Sequence, residues 1–131
     1  MTSGSALEIV TQQQGPRSVL RLRGELDLSN DNDLRREIRG ILHSHNPQIL
    51  VLDLSELGFT DSTGLAAMVW AHKQMTERGH QLWLAGPNSL ILRLLRISGL
   101  DKHLQLVTEG GAADGPAGPP VPAAETPPPL A

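Results

Sequence analysis

Cysteine is absent from the 131 residues, which excludes disulfides, thiolate metal sites and a thiol nucleophile and is compatible with a reducing compartment. A basic excess is missing too. Lys and Arg total 11 against 14 Asp and Glu, a formal net charge of −3, whereas binding a phosphate backbone calls for clustered positive charge. A direct nucleic-acid partner is therefore not expected. Long hydrophobic runs are lacking as well: the longest strictly apolar stretch, Leu65 to Ala71, falls far short of the roughly 20 residues of a membrane-spanning helix. The opening MTSGSALEIVTQQQG has neither the basic start nor the apolar stretch of a secretion signal. The expectation is a protein that is neither exported nor inserted, with the cytoplasm as its default location. What remains is an apolar content of 39%, enough in a chain of this length for one core and one domain.

That domain does not extend to the carboxyl terminus. Residues 110–131 read GGAADGPAGPPVPAAETPPPLA and hold seven of the ten prolines, with Val121 and Leu130 as the only large apolar side chains. Ordering each residue costs about 1–2 kcal/mol of backbone entropy, and so little apolar surface cannot offset it. A solvated, partly polyproline-like tail is predicted, and scattered prolines are too unspecific to assign it a docking role. Residues 1–6 are expected to be flexible for the same reason, which leaves 7–109 as the folded domain.

Within it the hydrophobic period alternates between that of strands and that of helices. Leu7 to Thr11 and Val19 to Leu28 alternate apolar and polar residues around a Gly15-Pro16 turn, with Leu20, Leu22, Leu26 and Leu28 assigned to one face. Leu34, Ile38, Ile41 and Leu42 then keep helical spacing, with Ser29 or Asn30 as cap and Asp31 and Asp33 suited to the positive helix end. Gln48 to Leu54 holds an apolar run that suits a strand covered on both faces, and Ser55 to Asp61 reads as a loop. A second helix from Ser62 to Arg78 carries Leu65, Met68, Val69 and Met75 and is closed by Gly79. A strand over Gln81 to Ala85 follows. A third helix from Ser89 directs Leu90, Ile91, Leu94, Leu95 and Ile97 inward and stops at Gly99, and Leu104 to Val107 is a final edge strand. The order ββαβαβα(β) predicts an α/β domain with a mixed, mostly parallel sheet covered by helices.

Chemistry is concentrated between Asp53 and Leu65, DLSELGFTDSTGL, because ligands and reactive groups of open α/β sheets collect where strands run into helices. Ser62 would sit in the first helical turn, where unpaired amides and the helix dipole favour negative charge and hence a phosphate. Gly64 just beyond it leaves little bulk in the way of an incoming reactant. Capping is the commoner use of Asp-Ser-Thr ahead of an apolar helical run, and the residues alone favour it. A hydrolase elbow fits poorly, since Thr60 stands where the pattern needs glycine and none of His43, His45, His72, His80 and His103 is marked as a base by spacing. A magnesium or phosphoacceptor cluster of Asp27, Asp53 and Asp61 would want a lysine after the later strand, where Gly86-Pro87-Asn88 stands. Asp53 and Asp61 therefore read first as hydrogen-bond acceptors and helix-end charges, and His43 with His45 as a solvated helix end. No metal or other cofactor is implied.

Four motifs in order resemble the STAS domain, and specifically the bacterial anti-sigma factor antagonists: Gly24-Glu25-Leu26-Asp27-Leu28-Ser29, Val51-Leu52-Asp53-Leu54-Ser55, Phe59-Thr60-Asp61-Ser62-Thr63-Gly64-Leu65, and Leu84-Ala85-Gly86-Pro87 with the later Ser98-Gly99-Leu100. The resemblance runs from Leu7 to Val107. It implies a small STAS-type fold and a partner-switching protein, not an enzyme. The unmodified antagonist would bind an anti-sigma factor that is also a serine kinase, releasing a sigma factor. Phosphorylation of the serine matching Ser62 would end that contact, and a serine phosphatase would restore it. Asp27 matches the family's acid beside the phosphorylation site, and Thr63 stands where a second serine is frequent. The implied contact set is Asp27, Asp61, Ser62, Thr63 and Gly64, flanked by exposed parts of the second and third helices, including Arg93 and Arg96. Trp70 is open between partner anchor and packing residue. The alternative of a different class is a non-switching STAS scaffold, a subunit of a stress-signalling or transport-ATPase assembly.

Overall fold

A computed structural model describes residues 7–107; the predicted flexible start, the proline-rich tail and the last two residues of the predicted domain lie outside the described residues. The chain runs β1 (Leu7–Gln14), β2 (Arg17–Leu26), α1 (Asp31–Ser44), β3 (Ile49–Thr60), α2 (Ser62–Glu77), β4 (Gln81–Ala85), α3 (Ser89–Ile97), a short 3₁₀ turn (Leu100–Lys102) and β5 (Gln105–Val107). The predicted order is the observed one.

The five strands lie side by side in sequence order, β1 antiparallel to β2 and every later pair parallel. Each parallel connection therefore steps one strand in the same direction, and right-handed crossovers place all their helices on one face. The core reflects this. Leu34, Ile38, Ile41 and Leu42 of α1, Ala67, Met68, Ala71 and Met75 of α2, and Ile91 and Leu95 of α3 join Leu20, Leu22, Leu50, Leu52, Leu54, Leu82 and Leu84 of the sheet. The opposite face carries a small separate cluster of Val19, Val51 and Ala85, edged by Ile49, Trp83 and Val107. The expectation that β3 is covered on both faces holds: Leu50 to Leu54 are all buried, with helices over one face only. Its apolar run is buried on the second face by neighbouring strand side chains, with Arg17 lying 5.4 Å over Trp83.

Three expectations differ. The stretch from Ser55 to Thr60 is strand, not loop: Glu56, Leu57, Phe59 and Thr60 pair with Arg23, Gly24, Glu25 and Leu26 across register shifts. Bulges absorb the polar residues that read as loop. Leu28, assigned to the core face of β2, is 75% exposed, because the strand ends at Leu26. In α3 only Ile91 and Leu95 are buried, while Leu90 and Ile97 are 44% and 75% exposed; a helix of nine residues resting on a sheet buries one stripe, and its apolar content exceeds that stripe.

Candidate functional site

The carboxyl ends of β2, β3 and β4 define one edge of the sheet, and α2 starts there. Asp61 is extended, and its Oδ1 accepts from the Gly64 amide at 3.0 Å, so Asp61 is the N-cap. Ser62 is the first helical residue instead of the cap that the sequence alone favours. Its side chain is exposed, and among the described residues its hydroxyl has no hydrogen-bond partner. The Leu65 amide returns to the Asp61 carbonyl at 3.0 Å, so the Ser62 and Thr63 amides are the first-turn donors left over.

The helix is seated by contacts that only small groups permit. The Asp61 amide donates to the Leu26 carbonyl at 3.3 Å, tying the helix start to the end of β2. Gly64 is buried, and a Cβ there would lie 2.9 Å from Leu26 Cγ and 3.0 Å from Leu26 O as well as against Thr60 Oγ1. Gly64 therefore acts inward: it lets α2 approach the sheet, and it does not clear a path for an outside reactant. Thr63 is half-buried.

Asp27 follows Leu26 directly and so lies beside this seat. Its Oδ1 accepts from the Ser29 amide at 3.0 Å and the Ser29 hydroxyl at 2.6 Å. Buried Asn30 holds the same turn without capping α1, Oδ1 accepting from the Asp27 amide at 2.9 Å and Nδ2 donating to the Glu25 carbonyl at 3.0 Å. Asp27 and Asp61 are thus both fixed at the end of β2, Asp27 as the next residue and Asp61 through the Leu26 carbonyl. Asp53 is elsewhere. It sits in mid-β3, 2% exposed, and accepts from Arg21 Nε at 3.3 Å, from the Ser55 amide at 3.0 Å and from its hydroxyl at 2.7 Å. The three acids do not meet, and among the described residues no group of three His, Cys, Asp or Glu could hold a metal ion.

Nor does a histidine reach Ser62. His43 and His45 stand at the end of α1, with Ser44 Oγ 2.9 Å from His45 Nδ1, and His80 follows α2, all at the opposite edge of the parallel strands. His103 precedes β5 at that same far edge. His72 is ten residues along α2, roughly 15 Å by helical rise. Trp70 lies under the α1 guanidiniums of Arg35 and Arg39, 5.4 and 5.2 Å from its ring, and against the core, a packing position. Sequence reasoning missed the exposed apolar side chains of this edge: Leu28 after β2, Phe59 near the end of β3 and Leu90 at the start of α3. Their signal was a large apolar residue just beyond where strand or helix periodicity breaks.

The fold and the site together define a small α/β domain, a sheet of five strands with all helices on one face and a serine at a strand-to-helix turn. The family model described as Mlab, STAS domain matches residues 9–108. An anti-sigma F factor antagonist of Paenibacillus polymyxa is 31% identical over 88 residues, covering 67% of this chain and 75% of that protein. Among solved structures, an anti-sigma factor antagonist from Mycobacterium paratuberculosis superposes with a TM-score of 0.74 at 21% identity, over 87% of this chain and 94% of that one. The Bacillus cell fate determinant SpoIIAA in its phosphorylated form gives 0.64 at 22% identity, over 83% and 97%. The chain belongs to the STAS domain family, among the anti-sigma factor antagonists. Among the described residues no helix is long and apolar enough to cross a membrane.

Proposed function

We propose that this chain is a phosphorylation-switched antagonist whose unmodified form binds an anti-sigma factor with serine kinase activity and so releases a sigma factor. The kinase transfers the γ-phosphoryl group of ATP to Ser62 Oγ, its own base takes the hydroxyl proton, and ADP leaves. A serine phosphatase reverses the modification. The antagonist contributes no catalytic residue and no cofactor, contacts no nucleic acid, and acts in the cytoplasm. One observation carries this: Ser62 is exposed and its hydroxyl is unengaged, because the neighbouring Asp61 caps the helix. Modification therefore takes nothing from the fold.

Phosphorylation adds about −1.5 to −2 charges and three acceptor oxygens. In the free protein the Ser62 and Thr63 amides and the helix dipole accommodate them. In a complex the same charge must be desolvated close to the Asp61 and Asp27 carboxylates, which opposes association. A hundredfold loss of affinity corresponds to about 2.8 kcal/mol, within reach of one such group, and requires no refolding. The contact surface combines Asp27, Asp61, Ser62 and Thr63 with exposed Leu28, Phe59 and Leu90. Gly64 serves it by seating the helix, and Thr63, half-buried, is not the acceptor.

The test is incubation with the cognate kinase and ATP, phosphate mapping, and affinity measurement on two variants. Ser62→Ala is expected to bind constitutively and Ser62→Asp to bind weakly. Equal affinity of the two overturns the charge switch, and stable assembly with no phosphate at Ser62 assigns the chain to the scaffold class instead.

A further inference from the structure

Far from Ser62, the second half of α2 and the second half of α1 enclose an open basin of about 570 Å³, within the size range of small-ligand sites. Leu42 and Trp70 belong to its floor, and Arg39, His43, Gln74 and Arg78 to its rim. No carboxylate lines it. In a chain of net charge −3, four arginines meet an acid: Arg21 meets Asp53, Arg23 meets Glu8 and Glu56, Arg35 meets Asp31 and Arg36 meets Asp33. Arg39 and Arg78, like Arg93 and Arg96 of α3, have no ion pair among the described residues, and only Arg39 and Arg78 of these line the basin.

Arg39 is also held in place, with its guanidinium 5.2 Å from the Trp70 ring centroid. A guanidinium stacked on an indole keeps its N–H edge available for a planar or tetrahedral oxyanion. Arg78 faces the same basin from the end of α2 and supplies a second fork, and the Gln74 amide and His43 ring add further polar groups. The carboxyl ends of both helices lie nearby and their dipoles oppose an anion, but solvent screens that effect at an open surface, whereas forked charge-assisted hydrogen bonds are short-ranged and direct.

We propose that this basin is a binding site for a small phosphorylated ligand, a pyrophosphate or phosphomonoester group gripped by Arg39 and Arg78. It is separate from the Ser62 edge, since Trp70 stands eight residues and roughly 12 Å along α2 from Ser62, and it does not depend on the proposed switch.

The two tryptophans make the test direct, because Trp83→Phe leaves Trp70 as the sole emitter. Sodium pyrophosphate titrated into this full-length variant at constant ionic strength is expected to change Trp70 emission saturably. Arg39→Gln and Arg78→Gln are each expected to weaken binding by about tenfold or more. Lys102→Gln, which removes one positive charge outside the basin, should bind as before. An unsaturable response, one reproduced by sodium chloride, or one equal in all three charge variants overturns the site. If emission is silent, the Trp70 indole and Gln74 amide resonances are followed by NMR in the same titration, and no displacement of either also overturns it.

Discussion

At the scale of single residues, two adjacent side chains divide work that the sequence leaves undivided. Asp61 caps α2 and Ser62 is free, since only a residue in extended conformation can fold its side chain back onto the third amide of the helix. Stability measurements separate the two. Asp61→Ala is expected to lose about 0.5–2 kcal/mol with the cap, whereas Ser62→Ala stays within about 0.5 kcal/mol of the parent, as exposed substitutions do. Urea denaturation of both variants checks this, and equal losses would mean that Ser62 shares the cap. The Asp-Ser-Thr-Gly string announced a helix start and a polar site. It did not say which residue spends its oxygen, because capping depends on one backbone dihedral that either residue could have adopted.

At the scale of elements, the decisive contact is α2 against the end of β2. Gly64 permits it, with Leu26 atoms 2.9 and 3.0 Å from where a Cβ would stand. Gly64→Ala is therefore expected to destabilise by about 1–3 kcal/mol through overpacking, although alanine is the better helix former. Thermal unfolding gives the sign: a gain in midpoint would show that the helix rides above the sheet. Strand and helix order was legible because side-chain period differs between the two elements. The extension of β3 through Thr60 was not. Ser55, Glu56 and Gly58 look like loop residues, and only pairing with β2 across shifted register gives their backbone groups partners. Leu90 and Ile97 face solvent against their helical spacing for a related reason: α3 is apolar over more of its circumference than the sheet can cover.

For the molecule as a whole, the sequential strand order puts α1, α2 and α3 on one face and delivers every strand-to-helix turn to one edge, so Leu28, Phe59 and Leu90 stand exposed around the same edge as Ser62. Phe59→Ser is expected to weaken binding to the proposed kinase partner by about 1–3 kcal/mol, as loss of an aromatic anchor at an interface does, beyond any loss of unfolding stability from its covered part. Leu28→Ser should act in the same direction. Titration calorimetry beside urea denaturation distinguishes the outcomes, and a partner indifferent to both substitutions does not use this edge.

The sequence by itself determined the domain's element order, its α/β class, the placing of a serine at a strand-to-helix turn, and the family, because these rest on local periodicity, turn chemistry and short motifs. Only the tertiary structure decided that the helices share a face, that Asp53 is locked to Arg21 away from the edge, that Gly64 looks inward, and that Arg39 and Arg78 face one basin without an acid. Those facts depend on which residues meet across the fold, and a chain read in order carries no distances between residues far apart along it.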